Sequence, residues 1–245
     1  MRNYLPSILL IAVFVIVWEV GARIVNTEFI LPAPSGIGLK LWDLKGLLLK
    51  EHLTSTLLII VIGLAISIVL GIALAITMTQ SSVMEKTFYP IIITSQTIPI
   101  IALAPIFVLW FGYSIWSKVV VTILITFFPI TVSTYDGLRS SSKELKELLL
   151  TMGASKKDIF FKLDVPSAIP YFFSGMKVAV PLSVIGAAIG EWLGAQEGLG
   201  YFSRRMMTQF DGAGVFAPIV ILSLLGIIFF LIVIMFEKKA LKWRK

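Results

Sequence analysis

Long runs of uncharged, mostly apolar residues separate the charged positions of this chain. The three longest extend from Leu53 to Met84, from Thr87 to Ser117 and from Gly212 to Phe236. Each exceeds the roughly 20 residues that cross the hydrocarbon core of a bilayer as a helix, so each predicts a membrane span. Three shorter runs reach that length only by extending past a charge or including one, namely residues 3–18, 119–135 and 178–190.

The pattern predicts an all-α, polytopic membrane protein whose 245 residues form one transmembrane domain. We predict six spans, at about residues 5–25, 56–78, 88–111, 117–135, 168–190 and 214–236. The fifth contains Lys177, which we interpret as a structural charge that pairs with an acid or reaches water. A short interfacial helix is expected over residues 37–50, ahead of the second span.

Composition and charge agree with this class. Of all residues, 58% are hydrophobic and 14% are charged, against roughly a quarter charged in a soluble domain. The net charge of +7 does not indicate a nucleic-acid partner, because it fits membrane orientation. With both termini in the cytoplasm, 13 basic residues lie inside, including Arg2, Lys86 and five in the tail Lys238–Lys245. We expect a multi-pass protein of the plasma or inner membrane that retains its first helix.

Little catalytic or metal-binding chemistry is visible. The chain contains no cysteine and one histidine, His52, and a lone histidine makes a poor metal site. It has no Ser/His pairing, no His-Glu-x-x-His motif and no pair of carboxylates within a span. We predict that the chain is not an enzyme and has no catalytic residue and no bound metal.

The most informative polar segment is the loop over residues 136–166. Its first half carries one apolar stripe at helical spacing, formed by Leu145, Leu148, Leu149 and Met152. Gly153 predicts the end of that helix in a left-handed conformation. Ser155 and Asp158 then predict a capping box for a second short helix, which we expect Pro166 to end. By periodicity alone, a solvated helical hairpin explains this pattern equally well.

This loop resembles the EAA loop of binding-protein-dependent ABC importer permeases. The match consists of Glu147-Leu148-Leu149, then Gly153 after three intervening residues, then Leu163-x-Val165-Pro166 after nine more. The chain departs from the family in having Leu-Leu where Ala-Ala is favoured. The resemblance implies that the loop docks on a separate ATPase subunit, and that the coupling residues are Glu147, Leu148, Leu149, Gly153, Ala154, Asp158, Leu163, Val165 and Pro166.

The same resemblance implies the partners. No Gly-x4-Gly-Lys-Ser/Thr phosphate loop occurs in the chain, so ATP and magnesium are expected on the ATPase, with no cofactor bound here. The family further implies a periplasmic or extracellular solute-binding protein and a permease homodimer in the lipid bilayer.

Further motifs resemble the branch that imports nitrate, sulfonates, taurine and thiamine or pyrimidine precursors. They lie at residues 31–35, 98–105, 110–112, 128–130 and 190–200. The Glu191-Trp192-Leu193-Gly194-Ala195 form is most similar to importers of hydroxymethylpyrimidine-type thiamine precursors; sulfonate, taurine, nitrate or another small metabolite is the alternative. Many members carry an arginine where this chain has Thr56, so inferences from that arginine do not transfer.

Candidate residues of the translocation path are Gln96 and Thr97 ahead of Pro99, with Glu191 and Trp192 at the outer end of the fifth span. Gln96 and Thr97 also suit hydrogen bonds between helices. Glu191 is expected either to contact the binding protein or substrate, or to be an exposed carboxylate in an outer loop. The competing class is a proton-coupled secondary carrier that uses Glu191 or Glu19, although Glu19 is expected to reach headgroup water.

Overall fold

The computed structural model describes residues 5–242, and all regular structure in that range is helical. The charges predicted inside at Arg2, Arg244 and Lys245 lie outside the described residues. The α-helices are α1 Leu5–Val25, α2 Pro34–Leu47, α3 Leu53–Gln80, α4 Ser82–Ser95, α5 Ile100–Phe111, α6 Ile115–Arg139, α7 Lys143–Thr151, α8 Lys156–Ile159, α9 Val165–Gly194, α10 Leu199–Thr208 and α11 Gly212–Ala240.

Five helical segments are long and apolar enough to cross a membrane, and a bent pair of helices makes a sixth. The five segments are Leu5–Val25, Pro34–Gln80, Ile115–Arg139, Lys156–Gly194 and Gly212–Ala240. The prediction of an all-α protein with about six spans is therefore confirmed.

The third predicted span differs from a continuous helix over 88–111. Its residues lie in α4 and α5, which are bent by 101° at a break over residues 96–99. Pro99 precedes α5 with extended backbone, φ −68° and ψ 107°. A proline lacks the amide that would continue the hydrogen-bond ladder and disfavours helical geometry in the residue before it. Pro90 and Pro105 remain within helices, so only Pro99 marks the break.

The predicted interfacial helix over 37–50 is also not separate from the second span. Helix α2 begins at Pro34, where a proline suits the first turn. It continues through a π-helical turn, Leu48–His52, directly into α3. The continuous segment Pro34–Gln80 is 47 residues long. Since about 20 residues cross the hydrocarbon core, part of it must extend beyond the core or lie along the interface.

Helix α6 lies at the centre of the bundle, between α3 and α9. Glycines permit the close approach. A Cβ atom on Gly137 would lie 2.6 Å from Tyr171 Cβ, and one on Gly63 would lie 2.6 Å from Thr122 Cγ2. Small residues are the usual means of bringing helices together in lipid, where apolar surface gives no net drive for association.

Lys177 pairs with an acid, one of the two structural roles expected for it. Its Nζ lies 2.8 Å from Oε1 and 3.1 Å from Oε2 of Glu237, so the pair joins α9 to α11. The lysine side chain is 29% exposed and the glutamate 19%. A partly buried charge that loses its partner is costly, whereas the loss of an exposed pair costs little.

We therefore expect Lys177→Met to lower the free energy of unfolding by about 1–3 kcal/mol, because it leaves Glu237 unpaired. The double variant Lys177→Met/Glu237→Leu should recover much of that loss. Unfolding by SDS in detergent micelles measures the effect. The matched control is Lys162→Met, which removes a more exposed partner of Asp158. Equal losses in the two single variants would contradict this account of Lys177.

Candidate coupling loop and translocation path

Helix α7 presents an uncovered apolar stripe. Its start is capped by Ser142, whose Oγ accepts a hydrogen bond from the Leu145 amide at 3.1 Å. No residue of α7 is buried, and Leu145 and Leu148 are about half exposed. Met152, just beyond the helix, is 73% exposed. An amphipathic helix normally turns its apolar face inward, so this face is available to another molecule.

Gly153 ends α7 in the predicted left-handed conformation. Its φ is +83°, and an added Cβ would meet no atom within 4 Å. The Gly153 amide donates to Leu150 O, and the Ala154 amide donates to Leu149 O at 2.9 Å. The predicted conformation is therefore confirmed, and the requirement for glycine comes from the backbone and not from crowding.

The predicted capping box is also present at the start of α8. The Ser155 hydroxyl accepts from the Asp158 amide, while Asp158 Oδ2 accepts from the Ser155 amide, both at 3.2 Å. Lys162 donates to Asp158 at 2.7 Å. The hydrogen bonds from Lys162 and Ser155 lower the pKa of Asp158 to about 2, so this carboxylate is ionised at neutral pH.

Pro166 does not end this helix, which corrects the expectation. Helix α8 continues through a π-helical turn, Phe160–Asp164, and Pro166 lies in the first turn of α9. The π-helical turn directly before Pro166 interrupts the regular hydrogen-bond ladder, and a residue without an amide can be accommodated at such an interruption. Leu163 and Val165 are partly buried in this return segment.

Asp164 ties the two halves of the loop together, and the sequence analysis missed it. The carboxylate is nearly buried and accepts from Ser141 Oγ at 2.5 Å. Lys146 of α7 forms an ion pair with the same carboxylate at 3.0 Å. Its position between Leu163 and Val165, two residues ahead of Pro166, is the one sequence signal that could have drawn attention to it. Glu147, by contrast, is exposed and makes no hydrogen bond or ion pair within residues 5–242.

Both ends of the loop rest on one apolar cluster. Leu138 lies at the end of α6, Ala168 in the first part of α9, and Ile92 in α4. All three are buried in the same cluster. Phe160 and Val165 pack against this cluster. The loop therefore rests on a packed base from which a rigid-body movement can reach the spans.

At the break between α4 and α5, Gln96 and Thr97 are exposed. Thr97 donates only to Thr94 O, at 2.7 Å, within the same turn. Neither side chain bonds another helix within the described part of the chain. Within residues 5–242, hydrogen bonds between helices are therefore not seen for these two side chains, which lie exposed beside Pro99.

Glu191 is fully buried, so the expectation of an exposed carboxylate in an outer loop was wrong; a contact with the binding protein or substrate stays a prediction. Thr56 Oγ1 donates to its Oε1 at 2.6 Å, and the Gly200 amide donates to its Oε2 at 2.7 Å. Buried carboxylates need such partners, because an unpaired buried charge is expensive. Trp192, the next residue, is exposed.

Glu191 belongs to a set of side chains that holds the start of α10. We call this set the α10 clasp; it consists of His52, Thr56 and Glu191. His52 Nδ1 accepts from the Gly198 amide at 3.1 Å, and Thr56 Oγ1 accepts from the Leu199 amide at 2.9 Å. With the Glu191 contact to Gly200, three amides at the helix start are satisfied by other helices.

An apolar groove of about 720 Å³ lies among α5, α9 and α11. Its walls include Pro181, Ile185 and Trp192 of α9, Ser223 and Gly226 of α11, and Ile101 of α5. Of the predicted path residues, Trp192 lines this groove. The groove is not lined by Gln96, Thr97, Pro99 or Glu191.

Glu19 is not a free acid. It forms an ion pair with Arg23 at 2.7 Å and accepts from Ser35 through that residue's amide at 3.0 Å and hydroxyl at 2.8 Å. These contacts attach α1 to the start of α2. A carboxylate held by three donors is poorly suited to repeated protonation, which removes the main residue-level support for a proton-coupled carrier.

The fold and loop define a membrane permease of the ABC importer class. Residues 67–242 match the family described as the inner membrane component of binding-protein-dependent transport systems, and the chain belongs to that family. Its members work with a binding protein and an ATPase, and they are not themselves enzymes.

Individual relatives share almost the full length. The chain is 58% identical to the formylaminopyrimidine transport permease protein ThiX of Halalkalibacterium halodurans, over 100% of this chain and 98% of the relative. It is 31% identical to the riboflavin transport system permease protein RibX of Chloroflexus aurantiacus, over 97% and 88%. It is 29% identical to a putative aliphatic sulfonates transport permease protein of Bacillus subtilis, over 99% and 88%.

Proposed function

We propose that this chain is the permease of an importer for formylaminopyrimidine or a closely related thiamine-precursor pyrimidine. The observation that carries the proposal is 58% identity to a formylaminopyrimidine permease over essentially both full lengths. Relatives whose names refer to riboflavin and sulfonates are 31% and 29% identical. The Glu191-Trp192-Leu193-Gly194-Ala195 segment, which favoured the pyrimidine branch, is consistent with this assignment.

Coupling to ATP is assigned to the loop over residues 136–166. The uncovered stripe of Leu145, Leu148 and Met152 suits a groove on an ATPase subunit. Glu147 projects from the same helix without a partner within residues 5–242 and supplies a polar contact to that subunit. ATP and magnesium are bound by the ATPase, and closure of two ATPase subunits draws the loops together.

The loop lies in the cytoplasm, with both chain ends on the same side of the plasma or inner membrane. The basic residues of the loop and of the tail support this orientation. The buried α10 clasp then lies towards the outer side of the membrane, the side from which a solute-binding protein arrives. Two copies of the chain form the permease, and the path runs between them, past the break at Gln96–Pro99 and the groove beside Trp192.

Reconstitution in lipid vesicles with the ATPase and binding protein tests the substrate. We expect ATP-dependent uptake of labelled formylaminopyrimidine, with excess hydroxymethylpyrimidine competing and excess taurine or riboflavin not competing. The control lacks the binding protein and should show no uptake. Uptake of taurine or riboflavin in preference to the pyrimidine would overturn the substrate assignment while leaving the permease class intact.

A further inference from the structure

A polar network connects α4 to the end of α6, close to the coupling loop. Tyr135 Oη donates to Glu85 Oε1 at 2.6 Å, and Arg139 forms an ion pair with Glu85 and a hydrogen bond with Tyr135. The Tyr89 and Tyr135 rings lie 5.4 Å apart. We call Glu85, Tyr135 and Arg139 the α4–α6 network.

The network supplies the polar connection between α4 and α6, beside the apolar packing of Ile92 and Tyr89. Within residues 5–242, the only side-chain hydrogen bonds from α4 to another helix are those made by Glu85. The backbones of α4 and α6 are not closely packed. A cavity of about 310 Å³ lies between them, lined by Glu85, Tyr89, Tyr135, Asp136 and Arg139. This end of α4 is therefore held to α6 by side chains that have room to move.

The α4–α6 network contributes little to the stability of the fold, because its ion pair is exposed. The Arg139 side chain is 54% exposed and that of Glu85 35%. Ion pairs this exposed contribute little to stability. Tyr135, in contrast, is almost buried and packs in the cluster at the base of the loop. Tyr135 is fixed by packing, whereas the ion pair between Glu85 and Arg139 beside it is exposed. This ion pair can therefore form and break at a modest cost in free energy.

The position of the network suggests its role. Arg139 is the last residue of α6, and α7 begins only four residues later at Lys143. Glu85 lies in the first turn of α4, the helix that leads to the break before α5. A movement of the loop reaches Arg139 first and, through Glu85, the bent pair.

We propose that the α4–α6 network is the link that makes the bent pair α4–α5 follow the coupling loop. The inference rests on the proposed docking of the ATPase at residues 136–166, but not on the identity of the solute. Glu85 and Arg139 act as positioning residues: they touch neither ATP nor solute, and they transmit a displacement between two helices.

Spin labels can follow both helices in the complex assembled with its ATPase subunits. The chain has no native cysteine, so labels attach only at introduced ones. Val83 on α4, Leu150 on α7 and Met235 on α11 are all exposed. The pair Val83→Cys/Met235→Cys reports on α4, and the pair Leu150→Cys/Met235→Cys reports on the loop. Distances are measured without nucleotide and after trapping with ATP and vanadate.

In the wild-type background, both distances should shift on trapping. With Glu85→Arg or Arg139→Glu, the Leu150–Met235 shift should remain and the Val83–Met235 shift should be lost. The charge swap Glu85→Arg/Arg139→Glu should restore it, a rescue that a purely structural defect would not give. The matched control Lys86→Glu, which reverses a neighbouring exposed charge on α4, should leave both shifts intact.

Other outcomes of the same distance measurements would overturn the proposed link. A Val83–Met235 shift that survives both single reversals, or that the swap fails to restore, overturns the link. Should a reversal prevent assembly, Tyr135→Phe removes one hydrogen bond of the network and should reduce the same shift; an unchanged shift again overturns the link. Absence of any Leu150–Met235 shift in the wild-type background would instead overturn the proposed docking.

Discussion

Replacing Gly153 with valine should leave the protein inserted in the membrane but unable to couple to its ATPase. Gly153 has φ +83°, a conformation that a β-branched residue adopts only with strain. The strain amounts to about 1–3 kcal/mol, which corresponds to a roughly five- to 150-fold loss of the docking-competent loop. The measurement is the amount of ATPase retained on the tagged permease, together with ATP-dependent uptake.

The control variant is Gly153→Asn, since asparagine tolerates the left-handed region better than other non-glycine residues. No atom lies within 4 Å of an added Cβ at this position, so the two variants differ mainly in their tolerance of the positive φ. We expect the asparagine variant to retain most of its association with the ATPase. Wild-type association and uptake in the valine variant would contradict the role assigned to the turn.

Replacing Gly198 with alanine should destabilise the protein strongly, because the new Cβ would enter the α10 clasp. That atom would lie closer than 3.0 Å to all three atoms of the Glu191 carboxyl group. Gly198 also has φ +112° and ψ 159°, a region that only glycine populates readily. Displacing Glu191 leaves buried donors unpaired, so we expect a loss of about 3–5 kcal/mol in the free energy of unfolding.

Gly112 provides the matched control. It has φ +64° and ψ −160°, in the same glycine region, yet a Cβ there would meet no atom within 4 Å. Gly112→Ala therefore carries the backbone strain without the clash, and we expect it to cost about 1–3 kcal/mol. Both variants are compared with wild type by unfolding in SDS. Equal losses for the two variants would show that the clasp adds nothing to the backbone effect.

Structural features that depend on residues close together in the sequence could be predicted well. The apolar runs gave the number of spans, since a bilayer fixes the length of helix that must be uncharged. Gly153 and the Ser155–Asp158 box were predictable because a helix end and its cap depend on residues within one turn. The resemblance of the loop and of the other motifs led to the family that the comparisons establish.

Contacts between distant parts of the chain could not be predicted in this way. Glu191 was expected to face water or substrate, because nothing near it in sequence reveals Thr56, 135 residues away. The pairing of Glu85 with Tyr135 spans 50 residues and was likewise missed. A proline at position 99 points to a disturbed helix, because it removes one backbone hydrogen bond. Whether the chain bends there or breaks by 101° depends on packing around the turn, which local propensity does not specify.

Affinity purification of the tagged chain from its native host in mild detergent, followed by mass spectrometry, tests the central claim most directly. The account predicts that an ATPase subunit with its own phosphate loop, and a solute-binding protein, accompany the wild-type chain. The same ATPase should be missing from the Gly153→Val preparation. A chain that purifies without an ATPase, and that takes up solute with a proton gradient alone, would contradict the account and establish a secondary carrier.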